Sequence, residues 1–166
     1  LGGRTFTQIS SGADHTCAID SSNDLYCWGS NSSGQLGMNS SGAGTDQNTP
    51  THEVSGNKFT QVAAGSSATC AIGTDRKLYC SGANTWGKLG TGSTGNQKVL
   101  TLTDSGTEYL KIYSAGSASF CGLTATKQIK CWGSPFYTNQ YSQVSQDQVS
   151  GHWGEGRILG TPLPIW

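Results

Sequence analysis

The sequence predicts an all-β protein made of β-propeller blades, and three observations support this. The segment at residues 6–12 recurs at 59–65 and, more weakly, at 110–116, a period of about 50 residues. Each copy is followed by two cysteines at a constant spacing. The 166 residues include 24 glycines and only 12% charged residues, a composition that suits short strands and turns better than amphipathic helices. A repeat of this length made of short strands is typical of radially repeated β-sheets.

The cysteine segments are predicted to form β-hairpins. Folding the first one about the turn-forming residues 20–24 places Cys17 opposite Cys27. Directly opposed residues have Cα atoms ~4.5–5.5 Å apart, which is within disulfide reach. Each bridge would close a loop of about 11 residues and contribute on the order of 3 kcal/mol. We therefore predict three equivalent disulfides: Cys17–Cys27, Cys70–Cys80 and Cys121–Cys131.

Metal ligation by these cysteines is the alternative. It is disfavoured because the chain has no C-x-x-C pair, and the second and third hairpins have no nearby histidine. Disulfides in every repeat indicate a secreted, cell-surface or periplasmic protein. The sequons at Asn31 and Asn39 fit a eukaryotic secretory origin and are predicted glycosylation sites. The chain begins without Met or a signal peptide, so we interpret it as a mature form, a trimmed form or part of a longer protein.

The order of motifs within a repeat is also informative. In the first repeat the hairpin is followed by Trp28-Gly29, then Asn31, then Gly-Gln-Leu-Gly at 34–37 and Thr-Pro at 49–50. This order resembles the RCC1 (regulator of chromosome condensation) repeat. The resemblance implies a propeller of four-stranded blades, in rings that usually have about seven blades. It implies little about activity, because the family includes nuclear exchange factors for small GTPases, secreted β-lactamase inhibitors and uncharacterised extracellular proteins.

The predicted organisation is a single RCC1-like repeat domain, 1–166, with repeats at 5–58, 59–108 and 109–166 and a degenerate tail from residue 134. Three repeats form an incomplete ring, because propellers have ~4–8 blades. An incomplete propeller exposes apolar interblade faces at both ends. We expect other copies of the chain to cover these faces, which would produce either a closed ring or a filament.

The sequence offers no catalytic constellation. Residues 90–95 match G-x-G-x-x-G but lack the strand and helix of a nucleotide-binding unit, so we predict a loop. His15 follows Asp14, yet its equivalents in the other repeats are Ala68 and Ser119. We therefore predict that His15 satisfies backbone groups between blades. We predict no enzyme activity, no cofactor and no metal.

The aromatic residues are predicted to have two roles. Trp28 and Trp132 occupy the Trp-Gly position and should pack between blades. Trp86 lies in a loop, and further aromatics lie where the third repeat departs from its pattern. Exposed aromatics among Asn and Gln suit sugar stacking or a protein contact, although an irregular loop packed on its own blade is the alternative. The candidate binding residues are Trp86, Phe136, Tyr137, Tyr141 and Trp153.

Charge and hydropathy narrow the function further. Ten basic and ten acidic residues provide no field that favours nucleic acid or an anionic bilayer, and no apolar run is long enough to span a membrane. We predict a non-enzymatic extracellular structural or interaction protein, a self-associating subunit of an oligomer or filament. The alternative is a binding module, either lectin-like and specific for glycans or an inhibitor that docks onto another protein.

Overall fold

The structure, a computed structural model, describes residues 3–134 and confirms the all-β prediction. Three antiparallel sheets follow one another along the chain, one for each repeat, and we call them blades 1, 2 and 3. Within the described residues, blades 1 and 2 have four strands each and blade 3 has three. The strands are β1 Phe6–Ser11, β2 His15–Asp20, β3 Leu25–Gly29, β4 Gln47–His52, β5 Phe59–Ala64, β6 Ala68–Gly73, β7 Leu78–Gly82, β8 Gln97–Asp104, β9 Tyr109–Ser114, β10 Ser119–Thr124 and β11 Ile129–Gly133.

The hairpins have the predicted register. Cys17 lies opposite Cys27, and the cysteines of the other two hairpins are paired in the same way. All three pairs form disulfides, with Cα atoms 4.1 Å apart in each. In the first turn, a carboxylate oxygen of Asp20 accepts the backbone N–H groups of Ser22 and Asp24. The side chain therefore satisfies the donors that the tight turn leaves outside the sheet.

Each of these turns needs one residue in the left-handed backbone region. Asn23, Arg76 and Lys127 occupy equivalent positions and have φ of 64°, 62° and 67°. Asparagine tolerates this conformation because its short polar side chain bonds locally, whereas longer side chains are less favourable there. The strain therefore falls on the turns of blades 2 and 3.

The blades pack against one another in chain order, with β1 beside β5 and β5 beside β9. Each blade therefore has two faces that can contact a neighbouring blade. We call the side that carries the disulfide the cysteine face and the other side the opposing face. In blade 1 the cysteine face contains Cys17, Ile19, Leu25 and Cys27. In blade 2 the opposing face contains Phe59, Val62, Ala71 and Leu100. These two sets pack together, so the apolar core lies between the blades.

The same arrangement repeats between blades 2 and 3. The cysteine face of blade 2 packs on the opposing face of blade 3, where Trp132 is fully buried. The Trp132 ring stacks on Phe120 and meets Tyr109 edge to face, at centroid distances of 6.4 and 6.1 Å. Aromatic pairs of this kind contribute ~0.5–1.5 kcal/mol beyond their buried area. Residues 3–134 include no helix with the length and apolar character of a membrane span.

Candidate interaction surface

Neighbouring blades are joined by side chains that bond to backbone. The Oε1 atom of Gln8 accepts the N–H of Val62 at 3.0 Å, and its Nε2 donates to the Val62 carbonyl at 3.5 Å. Gln61 is the equivalent residue of blade 2 and accepts the N–H of Ile112 at 3.2 Å. A glutamine on one blade therefore satisfies the first strand of the next. The equivalent residue of blade 3 is Lys111, which has no acceptor atom.

His15 also joins two blades. Its side chain is buried, and Nε2 lies 2.8 Å from Oγ1 of Thr69, which in turn donates to the carbonyl of Gln35 at 2.8 Å. Because the threonine hydroxyl donates to that carbonyl, it accepts from Nε2–H of the histidine. The predicted interblade role is confirmed, but the partner is a hydroxyl of the next blade and not a backbone group.

Burial lowers the pKa of His15 to about 4. The carboxylate of Asp14 acts in the opposite direction, while the ammonium of Lys88 lowers the pKa further. The imidazole is therefore neutral at pH 7, which suits a hydrogen-bonded structural residue. Among the described residues, no three His, Cys, Asp or Glu side chains are grouped as metal ligands.

Asn31 organises the loop that follows β3, and its burial there argues against the predicted glycosylation. Its side chain is fully buried, and Nδ2 donates to the Ser40 carbonyl at 3.0 Å and lies 3.2 Å from Oγ1 of Thr45. Oδ1 accepts the N–H of Leu36 at 3.1 Å. A glycan on this nitrogen would break these bonds and has no room. The exposed Asn39 stays a predicted site.

The same arrangement in blade 2 explains why Asn31 is buried. Asn84 is fully buried, accepts the N–H of Leu89 at 2.8 Å and donates to the carbonyls of Ser93 and Gly95. Its sequence, Asn-Thr-Trp, is not a sequon. The recurrence of asparagine at a position that is a sequon in only one repeat was therefore the available signal for a structural role.

Two lysines are buried at the boundary between blades 2 and 3, and sequence reasoning did not identify this role. The Nζ atom of Lys130 donates to Oγ1 of Thr107 at 2.8 Å and lies 4.0 Å from a carboxylate oxygen of Asp104. Burial lowers the Lys130 pKa, and Asp104 opposes that shift. Burial also lowers the pKa of Lys88, whose carbonyl accepts the indole N–H of Trp132 at 3.1 Å.

The predicted aromatic site is placed only in part. Trp86 lies on a short 3-10 turn, Thr85–Gly87, and 40% of its surface is exposed. Phe136, Tyr137, Tyr141 and Trp153 lie outside the described residues, and so their binding role stays a prediction. The limits of the third repeat and its tail from residue 134 also stay predictions for this reason.

Both ends of the blade array expose apolar side chains. At the first end, Ile9 is 65% exposed and forms a shallow groove with Phe6, Trp28 and Pro50. Trp28 is therefore half-exposed on the opposing face of blade 1, which corrects the prediction that it packs between blades. At the other end, blade 3 exposes 61% of Tyr113 and 59% of Ile129 on its cysteine face.

Two sequence models described as "Regulator of chromosome condensation (RCC1) repeat" match the chain, one at residues 6–35 and 59–87 and the other at 22–72. The dog X-linked retinitis pigmentosa GTPase regulator is 31% identical over 146 residues, which is 87% of this chain. The human protein of the same name is 30% identical over 144 residues. This chain spans only 14% of the length of either relative.

Solved structures share the fold. Prp20p from Saccharomyces cerevisiae aligns with a TM-score of 0.70 and 21% identity, over 84% of this chain and 35% of that chain. The ectodomain of the Physcomitrella patens receptor kinase CR4 aligns with a TM-score of 0.53 and 20% identity, over 80% and 31% of the two chains. The described blades are therefore a partial β-propeller.

Proposed function

Because this chain belongs to the RCC1-like repeat family, whose β-propellers are protein-interaction domains, we propose that it is a non-enzymatic extracellular protein that acts by self-association. The observation that carries the proposal is the exposed apolar surface at both ends of the array, at Ile9, Tyr113 and Ile129. Contiguous apolar surface favours association because binding removes it from water.

The extracellular part of the proposal is supported by the disulfides. Each of the three hairpins carries one, and no cysteine among the described residues is free. Such bonds persist in oxidising compartments and are rare in the cytosol. The fold itself is compatible with this location, since it is shared with the ectodomain of a plant receptor kinase. Intact mass measured before and after reduction should show three disulfides in the protein isolated from its natural source.

The non-enzymatic part is supported by the use of His15. The His15 ring, which follows Asp14 in the sequence, is buried and bonded to the neighbouring blade. A buried ring that holds two blades together cannot approach a substrate. Its arrangement therefore suits a scaffold.

Self-association is tested by light scattering on the oxidised protein. We expect a molar mass that exceeds the 17.3 kDa of one chain and rises with concentration. A monodisperse monomer at every concentration would contradict the proposal. The reduced protein serves as a comparison, because loss of the hairpin disulfides should weaken the blades and with them the association.

A second candidate function is a binding module for glycans or another protein, and the exposure of Trp86 favours it. An indole that is 40% exposed on a short turn is suited to stacking on a sugar ring or to filling a partner's pocket. Glycan-array and pull-down assays should lose binding in Trp86→Ala and Trp153→Ala. Unchanged binding by both variants would reject an aromatic site.

A further inference from the structure

The burial of one repeat position differs among the three blades. In the strand register, Ile9, Val62 and Ile112 are equivalent residues on the opposing faces of blades 1, 2 and 3, so the third copy is shifted by one residue from the sequence match of 6–12 with 110–116. Val62 and Ile112 are only 2% and 3% exposed because the cysteine face of the preceding blade covers them, whereas Ile9 is 65% exposed. All three faces have a β-branched aliphatic residue at this position, and among the described residues that of blade 1 is the one left uncovered.

The cysteine faces show the converse. Leu25 and Leu78 are fully buried beneath the following blade, but their equivalent in blade 3, Ile129, is 59% exposed. The cysteines follow the same pattern. All four in blades 1 and 2 are buried, while Cys121 and Cys131 are half-exposed. Within residues 3–134, the array therefore ends in one uncovered opposing face and one uncovered cysteine face.

We propose that these two faces bind each other between copies: the cysteine face of blade 3 docks on the opposing face of blade 1 of a second copy. The inference rests on the proposed self-association and states its geometry. The same two types of face already pack together twice within the chain, so the contact between copies would continue an interface that the structure contains. Because the net charge is zero, two copies do not repel each other through their overall charge.

This geometry is head to tail and not symmetric. A symmetric dimer would pair two equal faces, whereas here each copy uses one face of each type. Because each copy keeps a free face after the first contact, association continues until the assembly closes or grows into a filament. Apolar pairing of Ile129 with Ile9 would repeat the way in which Leu25 and Val62 share one core between blades 1 and 2.

Lys111 makes the proposed contact weaker than those within the chain. Gln8 and Gln61 occupy this position in the other blades, and each accepts a backbone N–H of the following blade. A lysine can donate to the carbonyl of Ile9 in a second copy but cannot accept its N–H. Lys111→Gln should restore that bond and tighten association roughly twofold to tenfold, the equivalent of one net hydrogen bond.

The central experiment uses Ile9→Asp and Ile129→Asp. The first places a charge on the opposing face of blade 1, and the second places one on the cysteine face of blade 3, both at exposed side chains. Alone, neither variant should associate, because every contact would need the altered face. Mixed in equal amounts, they should form a dimer that stops growing, since only one pair of intact faces exists in the mixture. Val54→Asp is the matched control, because Val54 is 55% exposed and lies in the connection after β4, outside the strands; its association should equal that of the unaltered protein.

The outcomes separate this inference from the proposed function. If the unaltered protein remains a monomer, the proposed self-association fails. If it associates and both variants associate equally well, self-association stands and the head-to-tail geometry is wrong. If one variant alone still forms dimers, the contact is symmetric and uses the other face.

Accessibility of the third disulfide supplies an independent readout. With the faces free, a mild water-soluble reductant should open Cys121–Cys131 before the buried Cys17–Cys27 and Cys70–Cys80, as measured by alkylation and mass spectrometry. Raising the protein concentration should protect Cys121–Cys131, and Ile9→Asp should abolish that protection. Protection at every concentration would mean that another part of the same chain covers this face, and the inference would then be wrong.

Discussion

The side chain of Gln8 in blade 1 forms hydrogen bonds with both the backbone N–H and the backbone carbonyl of Val62 in blade 2. Its Oε1 accepts the Val62 N–H at 3.0 Å and its Nε2 donates to the Val62 carbonyl at 3.5 Å. The side-chain amide thus supplies the donor and the acceptor that a neighbouring strand would otherwise offer to the first strand of blade 2. The interblade contact is specific as well as apolar, because only a residue that both donates and accepts completes it.

The first prediction concerns this contact. Gln8→Ala removes both bonds and leaves the two groups of Val62 with weaker partners, so we expect the free energy of unfolding to fall by about 1–3 kcal/mol in urea titrations. Gln128→Ala, in an exposed turn, is the control and should change stability by less than about 0.5 kcal/mol. Equal stability of the two variants would show that the Gln8 bonds contribute nothing.

The second prediction is a pH dependence due to His15. Its pKa falls from 6.5 to about 4 on folding, so the unfolded state binds more protons between these values. Stability is therefore complete above pH 6.5 and is lost as the pH falls to about 4, by up to about 3 kcal/mol. His15→Gln, which keeps a polar side chain, should flatten the profile of unfolding free energy in this range. A profile that retains its slope in the variant would assign the effect to other groups.

The third prediction separates the two sequons. After secretion from a eukaryotic cell, Asn39→Gln should lower the intact mass by one glycan. Asn31→Gln should leave the glycan mass unchanged, because the Asn31 amide is buried and bonded in the folded loop. A glycan that disappears with Asn31→Gln would contradict the burial of this loop.

The fourth prediction is a stabilising substitution. Lys127 has φ of 67° at the turn position that Asn23 occupies in blade 1. Lys127→Asn should raise the free energy of unfolding by about 0.5–1 kcal/mol, since asparagine adopts this region at lower cost. Lys98→Asn, at an exposed position of β8, is the control and should not stabilise the protein. Thermal unfolding followed by circular dichroism measures both changes.

The sequence predicts the hairpins well because their geometry is local. Two cysteines at a fixed spacing around a polar turn permit one register, so Cys17 and Cys27 could be paired without knowledge of the rest of the chain. The exposure of Trp86 followed from its place in a loop in the same way.

The partners in contacts between blades could not be predicted, because they depend on which residues the fold brings together. Nothing near Gln8 in the sequence indicates Val62, and the burial of Lys130 depends on Asp104, at the end of β8, and on Thr107 in the connection that follows. Trp28 also shows that burial between blades cannot be predicted from the repeat position alone. Its position predicts burial, but burial requires a neighbouring blade, and the described residues place none there.

The most direct test of the proposed self-association is sedimentation equilibrium of the oxidised protein over a wide concentration range. We expect a weight-average mass that rises above 17.3 kDa as the concentration increases. A mass that stays at 17.3 kDa throughout would contradict it.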